Sequence, residues 1–572
     1  MPRMAPWRRD DARNFNLSDI SDDSGTFSSP YRSTNGDPEN SSESYPEAST
    51  GNPQGPDLQV EENNARWSTF PIGDLPPEIL ASVFAAVAIN GGGLDQVSIV
   101  KLSRVCRHWR AVALDEPKFW NFVSAKHPTW SSTVLGRSGV IPLRVSLDVD
   151  DAESMDSARL VMTHFRRVKE FLVTGMSFDI DQVMAELPDE APLLETWEMR
   201  KKLNHELPPP STAFFGLRAP RLHHLTLRGF SCDWTSPLFK DLTKLGLHSV
   251  LSKTTPEEML HILSMSPRLT ELQLRTVFNE KERYTDLNHG YPRVDLPLLT
   301  HLFLGEHLRI PSENMTTMLE YLTFPATTSL VIYCRATRID GFERLYQSIL
   351  PVTGTDAVNI ASVDLTLSGH AVRFEGKTST DANDAHVYLA LQCTQRRGSL
   401  DLASKTCAAL PLAHHVEHLR IPGFILGQAS RQAWVELLGC FPGVRRFEVA
   451  FMPIDLAGAL CETDQDHITG TSVMLAPADL GRSTPLPILH TIVIESGEHT
   501  FKDEDMLKHL AYSLSQRRRV GLPIARLEIH DWVPPAGSQD LMAMLRKAVP
   551  DVVPAGRRVK AADIDRSFSY DD

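Results

Sequence analysis

Cysteine is scarce in this sequence of 572 residues, and the seven that are present lie far apart, with no C-x-x-C pair among them. Disulfide frameworks and zinc knuckles both need closely spaced cysteines, so the sequence predicts neither. No apolar run approaches the ~18 residues needed to cross a membrane, and the first residues contain no apolar core of a secretory signal. These absences predict a soluble protein of the cytoplasm or nucleus with reduced thiols and no membrane association.

Positive charge is also in short supply, because 58 Lys and Arg residues face 72 Asp and Glu residues and give a formal net charge of −14. A broad cationic surface for nucleic acid or anionic lipid is therefore not expected. Residues 1–66 contribute much of the excess, with 12 acidic and 6 basic side chains and only six Leu, Ile, Val or Phe residues. That composition predicts a disordered, acidic, serine-rich tail over residues 1–66.

The pattern changes to that of a small helical domain over residues 70–123. After a proline pair, apolar residues recur every three or four positions, at Ile79, Leu80, Val83, Phe84 and Val87. This is the spacing of an amphipathic helix, and proline suits its first turn. Glycines at 91–93 interrupt the pattern, a second helical stretch is predicted for 97–113, and Asp-Glu-Pro at 115–117 ends it.

Beyond residue 190 the chain repeats one pattern, in which a proline is followed by apolar residues at plus two, plus five and plus seven. Complete copies begin at Pro192, Pro220, Pro267, Pro297, Pro442, Pro487 and Pro523. Residues at plus five and plus seven share one face of a strand, and proline favours extended backbone before it. Helical stretches lie between the copies, and one of them begins with a capping box at Thr255 and Glu258.

A strand and a return helix that recur about every 28 residues can bury their apolar faces only by stacking on their neighbours. The predicted fold class is therefore α/β: a small all-α domain followed by a solenoid of parallel strands with return helices. The predicted segments after the helical domain are a linker with the first irregular repeats at 124–190, the solenoid at 191–550 and a C-terminal tail at 551–572.

The helical segment resembles an F-box. The residues that carry the likeness are Leu75-Pro-Pro-Glu-Ile79-Leu80-x-x-Val83-Phe84, then Leu102-Ser-x-Val105-Cys106-Arg-His-Trp109, then Glu116-Pro-x-x-Trp120. An F-box docks on the Skp-type adaptor of a cullin ubiquitin ligase, so that the rest of its chain presents a protein substrate. The resemblance implies adaptor-binding residues Leu75, Pro76, Ile79, Leu80, Phe84, Val105, Cys106, Trp109 and Trp120. The core of a small helical domain equally explains Val105, Cys106 and Trp109, and Leu75 and Pro76 are the strongest candidates for direct contact.

The segment after the F-box resembles the linker of fungal F-box proteins that carry irregular leucine-rich repeats. Its strand-like pairs are Val145 with Leu147 and Phe171 with Val173. Where the regular repeat places Asn or Cys for a turn ladder, this sequence has Phe230, Val277 and His307. An irregular array is therefore expected, with long insertions such as 368–388 and 452–482.

Sequence patterns for catalysis and cofactors are weak. The histidine cluster at 414–418 has no partner at metal-ligand spacing, and no nucleophile elbow or dinucleotide fingerprint occurs in a suitable context. The arginines at 517–519 are interpreted as complements to the end of a helix. No cofactor, no metal and no enzymatic activity are expected.

The leading hypothesis is a substrate-recognition subunit of an SCF-type (Skp, cullin, F-box) ubiquitin ligase. The alternative is a non-ligase interaction scaffold whose F-box-like helices cap the solenoid.

Overall fold

The computed structural model describes twenty segments of the chain, namely residues 75–90, 93–94, 96–124, 128–202, 216–230, 233–250, 254–278, 293–305, 313–336, 338–353, 359–369, 371–379, 386–393, 398–410, 415–425, 429–450, 452–461, 484–495, 504–530 and 539–555. The predicted acidic tail at 1–66 lies outside them. The chain divides into two compact units, Met1–Val123 with Thr129–Leu143 (the helical unit) and Ser124–Pro128 with Arg144–Asp572 (the sheet unit).

The helical unit contains short helices connected by tight turns. Its elements are α1 (Pro77–Ala88), a two-residue hairpin of β1 (Ile89–Asn90) and β2 (Gly93–Leu94), α2 (Gln96–Leu102), α3 (Arg107–Asp115), a 3₁₀ turn at Pro117–Trp120, β3 (Phe122–Ser124) and α4 (Pro128–Arg137). The helices α1, α2 and α3 pack against one another. Their shared core contains Leu80, Phe84, Ile99, Ala113 and Phe119.

The sheet unit contains a long, mainly parallel sheet. Its strands are β4 (Leu143–Val149), β5 (Val168–Met176), β6 (Thr196–Lys202), β7 (His224–Arg228), β8 (Lys244–His248), β9 (Glu271–Arg275), β11 (His301–Gly305), β13 (Ser329–Ala336), β14 (Ser362–Ser368), β15 (Ala371–Lys377), β16 (Val387–Cys393), β17 (His418–Ile425), β18 (Arg446–Val449), β19 (Thr491–Glu495), β20 (Arg526–His530) and β21 (Asp551–Ala555). A separate parallel pair joins β10 (Val294–Asp295) and β12 (Leu322–Thr323). The last strand, β21, lies within the predicted C-terminal tail, so the sheet extends past residue 550.

Helices connect the strands of the sheet. They are α5 (Ala152–Met162), α6 (Ser177–Ala185), α7 (Pro256–Ser264), α8 (Glu313–Leu319), α9 (Glu343–Thr353), α10 (Ser399–Ala409), α11 (Arg431–Gly439), α12 (Ile454–Ala459), α13 (Glu504–Arg519) and α14 (Gln539–Ala548). From α7 onwards each helix packs on the next. The capping box predicted at Thr255 and Glu258 is present, with both reciprocal hydrogen bonds formed. The α/β fold class is thus confirmed.

The strands bury the apolar pairs that the repeat pattern predicts. Leu225 and Leu227 in β7, Leu272 and Leu274 in β9, and the equivalent pairs of the other copies are almost completely buried. The pairing register aligns these residues, with Leu225 opposite Leu245 and Leu227 opposite Leu247. Each pair therefore packs against the pair of the next strand, and the side chains between them project from the opposite face, which we call the open face.

Threonines form a hydrogen-bonded ladder at the start of successive strands. The hydroxyl of Thr243 donates to the carbonyl of His223 at 3.0 Å, that of Thr270 to Thr243 at 3.0 Å, and that of Thr300 to Thr270 at 2.9 Å. The hydroxyl of Thr328 continues the series by donating to Leu299 at 2.9 Å. These hydrogen bonds join neighbouring repeats at a position different from that of the Asn or Cys in a regular leucine-rich repeat.

One strand interrupts the parallel order. Strand β13 pairs in parallel with β16, β16 pairs with β15 antiparallel, β15 pairs with β14 antiparallel, and β14 pairs in parallel with β17. The region predicted to be an insertion, 368–388, therefore contributes the antiparallel strand β15 to the sheet itself. Two reversals restore the original direction, and parallel pairing then continues to β21.

A buried arginine fixes the region where three segments meet. The guanidinium of Arg517 donates to the carbonyls of Leu460 at 2.9 Å, Pro485 at 2.8 Å and Leu486, and burial lowers its pKa to about 10. Arg518 donates to the carbonyl of Lys547 at 2.8 Å. The interpretation of these arginines as complements to their own helix end is therefore incomplete, because both bind carbonyls of other segments.

We predict that Thr270→Val lowers the free energy of unfolding of the sheet unit by roughly 1 kcal/mol, because valine keeps the shape but removes the hydroxyl donor. Denaturant unfolding of the purified chain measures this change. Thr270→Ser keeps the donor and is the matched control; equal loss in both variants would show that the hydroxyl contributes nothing.

We predict a larger loss for Arg517→Met, of about 3 to 5 kcal/mol, because three buried carbonyls lose a charged donor. The same unfolding measurement applies. Arg519→Met is the control, since Arg519 is exposed and, within the described segments, its side chain hydrogen-bonds to Gln516 of its own helix at 3.5 Å. Similar stability of the Arg517 variant and the control would contradict the structural role.

Candidate functional site

The first helix of the helical unit starts at the Leu75-Pro76 pair. The carbonyl of Pro76 accepts hydrogen bonds from the backbone N–H groups of Ile79 and Leu80, both at 3.0 Å. Pro77 occupies the first helical position, where its missing N–H costs nothing. The side chain of Leu75 is half-buried and that of Pro76 is exposed. The helix thus begins with an apolar pair on the surface.

Helix α1 has two apolar stripes instead of one. Leu80, Phe84 and Ala88 recur every four residues and are 0%, 0% and 1% exposed, so they form the stripe that packs into the unit. Ile79, Val83 and Val87 recur at the same spacing one residue earlier, about 100° around the helix. Ile79 is 51% exposed and Val87 is 61% exposed, with Val83 half-buried between them. Together with Pro76 these three residues form what we call the outer stripe.

Helix α3 supports α1 from within the unit. The sulfur of Cys106 caps α3 by accepting a hydrogen bond from the backbone N–H of Trp109 at 3.4 Å. The ring of Trp109 lies 5.0 Å from that of Phe84, centroid to centroid. Val105, Cys106 and Trp109 are each half-buried. Trp109 therefore packs against α1, Cys106 fixes the start of α3, and all three residues retain some exposed surface.

Trp120 is a core residue with a satisfied polar atom. Its indole N–H donates to the carbonyl of Ala113 at 2.9 Å, and its side chain is 1% exposed. The ring of Trp130 packs against it edge-on at 5.9 Å, and the guanidinium of Arg137 lies over it at 4.5 Å. Trp120 therefore joins α3 to α4 within the unit.

The structure divides the residues expected to bind an adaptor into two groups. Leu75, Pro76 and Ile79 reach the surface along one side of α1, with Val105, Cys106 and Trp109 partly exposed. Leu80, Phe84 and Trp120 are 0%, 0% and 1% exposed, so in this structure they pack within the helical unit. Val83 and Val87 are not among the residues expected from the sequence, and they extend the surface of Ile79 along α1 at the same four-residue spacing.

A network of charged side chains lies on the open face of the described part of the sheet unit. The guanidinium of Arg420 contacts Glu448 at 3.0 Å and Glu495 at 3.3 Å, and His418 lies 3.5 Å from Glu448. Burial opposes ionisation of Glu448, but hydrogen bonds with His418 and Glu495 and the charge of Arg420 lower its pKa to about 2. Burial and the neighbouring Glu448 raise the pKa of Glu495. The cluster is a paired network that ties β17, β18 and β19 together.

The described residues contain no group of three or more His, Cys, Asp or Glu side chains arranged to hold a metal ion. In the histidine cluster, His414 lies outside the described residues and His415 is exposed. None of the helices in the described segments is long and apolar enough to cross a bilayer.

Comparison with known proteins identifies the segment that contains the outer stripe. Residues 72–126 match the F-box-like family model. A crystal structure of the Rad7 and Elc1 complex in yeast is similar over 83% of this chain and 92% of that chain, with 12% sequence identity and a TM-score of 0.24. A search of curated proteins finds no match.

We predict that truncating the buried stripe of α1 lowers stability much more than truncating the outer stripe. Leu80→Ala and Phe84→Ala each lower the free energy of unfolding of the helical unit by about 2 to 5 kcal/mol, because they leave cavities in its core. Ile79→Ala and Val87→Ala, which remove exposed groups, change it by less than about 0.5 kcal/mol. Denaturant unfolding followed by tryptophan fluorescence distinguishes them; a large loss for Ile79→Ala would show that the outer stripe is not a free surface.

Proposed function

We propose that this chain is a substrate-recognition subunit of an SCF-type cullin ubiquitin ligase. The outer stripe of α1 is the observation that carries the proposal. A stripe of aliphatic side chains costs solvation free energy when it faces water, at roughly 25 cal/mol per Å² of apolar area. Its place at the start of the F-box-like segment supports a Skp-type adaptor as the protein that covers it.

In this proposal Leu75 and Pro76 enter the groove of the adaptor, and Ile79, Val83 and Val87 extend the contact along α1. Leu80, Phe84 and Trp120 contribute indirectly, because they fix the position of α1 in the helical unit. Val105, Cys106 and Trp109 contribute through their partly exposed surface. The adaptor in turn connects the chain to cullin, and this role is performed in the cytoplasm or nucleus.

The sheet unit is proposed to bind the protein substrate as an irregular leucine-rich-repeat array of the fungal F-box type. The aligned leucine pairs and the return helices support this interpretation, and the threonine ladder accounts for its departure from the regular repeat. Two binding surfaces on one chain raise the local concentration of substrate at the ligase. The transfer of ubiquitin is then performed by other subunits, and this chain acts without a catalytic residue or cofactor of its own.

Co-purification of the adaptor with the full-length chain tests the proposal. We predict that Leu75→Ala with Pro76→Ala, and separately Ile79→Glu with Val87→Glu, reduce adaptor recovery at least tenfold, since two buried apolar contacts are worth about 1.4 kcal/mol or more. The glutamate variant places charges in the apolar contact but leaves the core of the unit unchanged.

Val140→Glu is the matched control, because Val140 is an apolar residue of the helical unit that is 90% exposed and lies outside the outer stripe. It is expected to recover as much adaptor as the wild type. Equal recovery by the Ile79 and Val87 variant, or a wild-type chain that recovers no adaptor, would contradict the proposal and leave the interaction scaffold as the interpretation.

A further inference from the structure

Positive charge is concentrated on the helical unit where α2 turns into α3. Residues 96–114 contain four Lys or Arg residues and no Asp or Glu. The four are Lys101, Arg104, Arg107 and Arg110, and each of them is exposed. We call these four residues the basic patch.

Backbone hydrogen bonds bring the members of the basic patch close together. The N–H of Arg104 donates to the carbonyl of Lys101 at 3.1 Å in the turn after α2, and the N–H of Arg110 donates to the carbonyl of Cys106 at 3.0 Å at the start of α3. Arg107 and Arg110 are three residues apart in a helix, so their side chains leave it on the same side. The turn and α3 thus present these cations on one short stretch of the chain.

The described carboxylates do not neutralise the basic patch. Within the described residues, no Asp or Glu oxygen lies within 4.0 Å of a charged nitrogen of these four side chains. Glu116, which follows α3, accepts a hydrogen bond from the backbone N–H of Lys118 at 3.3 Å. An anionic partner at the patch is therefore attracted by several cations whose charge is not otherwise balanced there.

Apolar side chains alternate with these cations along the chain. Val105, Cys106 and Trp109 lie between the arginines of the patch and are half-buried. A partner that fits this surface combines carboxylates with apolar side chains. Nucleic acid is a poor match, because the chain carries a net charge of −14.

The chain itself contains a segment of the required composition. Residues 10–23, which we call the acidic segment, have five Asp residues and one Arg, for a net charge of −4 that is equal and opposite to the +4 of the basic patch. The acidic segment also contains Phe15, Leu17 and Ile20, which are half of the six Leu, Ile, Val and Phe residues in 1–66. Its carboxylates and apolar residues therefore occur together.

The covalent connection allows the acidic segment to reach the basic patch. About 50 residues, 24–74, separate the acidic segment from the helical unit, and that length of chain spans up to about 170 Å when extended. Contact within one chain is favoured by the local concentration that the connection imposes, which does not depend on the concentration of the protein. Several weak ion pairs between exposed groups are then sufficient.

We propose that the acidic segment binds the basic patch of its own chain, with its carboxylates beside the cations and its apolar residues on the partly exposed side chains between them. The contact covers Val105, Cys106 and Trp109. One consequence rests on the proposed function: the acidic segment then competes with the adaptor for this part of the surface.

Carbodiimide cross-linking of the full-length chain tests the contact, because the reagent joins a carboxylate to a lysine amino group that lies against it. Peptide mass spectrometry is expected to find Lys101 joined to the acidic segment, with a yield about fivefold or more above that for the carboxylates of 37–62. The yield is expected to fall about fivefold or more in about 0.5 M NaCl, since salt screens exposed charges. Absence of the link, or equal yields for the two groups of carboxylates, overturns the proposal.

A patch variant keeps the reactive lysine and removes its neighbours. Arg104→Gln with Arg107→Gln and Arg110→Gln is expected to lower the yield of the Lys101 link about fivefold or more, because three of four charges are lost. A variant of the acidic segment leaves the helical unit untouched. Asp19→Asn with Asp22→Asn and Asp23→Asn is expected to lower the yield of the links from Lys101 to the remaining carboxylates of 10–23.

The matched control for the patch variant removes three exposed arginines of the sheet unit, Arg221→Gln with Arg268→Gln and Arg293→Gln. It is expected to keep the wild-type yield of the link. Equal yields in the patch variant and in this control overturn the proposal, as do unchanged yields in the variant of the acidic segment.

A mixture of equal amounts of heavy-isotope-labelled and unlabelled chain identifies where the bound segment comes from. Links within one chain join two labelled or two unlabelled peptides, and these are expected to predominate. Labelled and unlabelled peptides joined as often as like peptides show that the segment comes from a second copy, which overturns the proposal.

Adaptor affinity tests the competition separately. Changing all five Asp residues of the acidic segment to Asn is expected to tighten adaptor binding about threefold, which corresponds to a surface that the segment covers about two thirds of the time. The matched control changes five carboxylates elsewhere in 1–66: Glu39→Gln, Glu43→Gln, Glu47→Gln, Glu61→Gln and Glu62→Gln. Equal affinity of the two variants overturns the competition.

The cross-link distinguishes this proposal from the proposed function. A wild-type chain that forms the Lys101 link but recovers no adaptor contradicts the ligase role and keeps the contact. A chain that recovers the adaptor but forms no link contradicts the contact and keeps the ligase role. Absence of the link overturns the contact even where the basic patch binds the adaptor or a labelled oligonucleotide.

Discussion

In-register parallel pairing is the constraint on which the sheet unit depends. A strand has a side-chain period of two, so a shift of one residue would move every leucine pair from the core to solvent. Successive strands therefore keep one register from β5 to β13, and the leucine pairs of one strand pack on those of the next. The same register aligns the residues between the leucines, so that side chains from successive strands form rows across the open face.

In the helical unit, adjacent residues of α1 have different environments: one is buried in the core and the next is exposed. Neighbouring positions such as Ile79 and Leu80 belong to different stripes, because one residue rotates the side chain by about 100° around the helix. Leu80 and Phe84 give α1 a fixed position through the core, and Ile79 and Val87 use that position to present an apolar surface. Single exposed aliphatic residues such as Val140 are ordinary, whereas the outer stripe places several of them side by side, and the proposed adaptor contact depends on that contiguity.

The spacing of residue types predicted those parts of the structure that depend on interactions between residues close together in the chain. The strand pairs such as Leu225 with Leu227, and the capping box at Thr255, follow from side-chain periodicity and from hydrogen bonds within one turn. The same reasoning located the start of α1.

The sequence pattern could not show which of Ile79 and Leu80 is buried, because both fit an amphipathic helix. Only the packing of α2 and α3 determines which side of α1 is covered. The burial of Arg517 and the threonine ladder depend on residues 20 to 57 positions apart in the chain. The threonines at plus three after Pro267, Pro297 and Pro325 were nonetheless a visible signal.

The antiparallel strand β15, which lies between β14 and β16, affects how the chain can assemble during synthesis. Most strands of the sheet can add to a neighbour that precedes them directly, which keeps the sequence separation of their contacts short. Strand β14 has no such neighbour, because its place next to β13 is filled by β16, which is synthesised later. The sheet up to β13 therefore ends in an open edge until residue 393 has left the ribosome. During that interval the unpaired edge of β13 is available for wrong pairing.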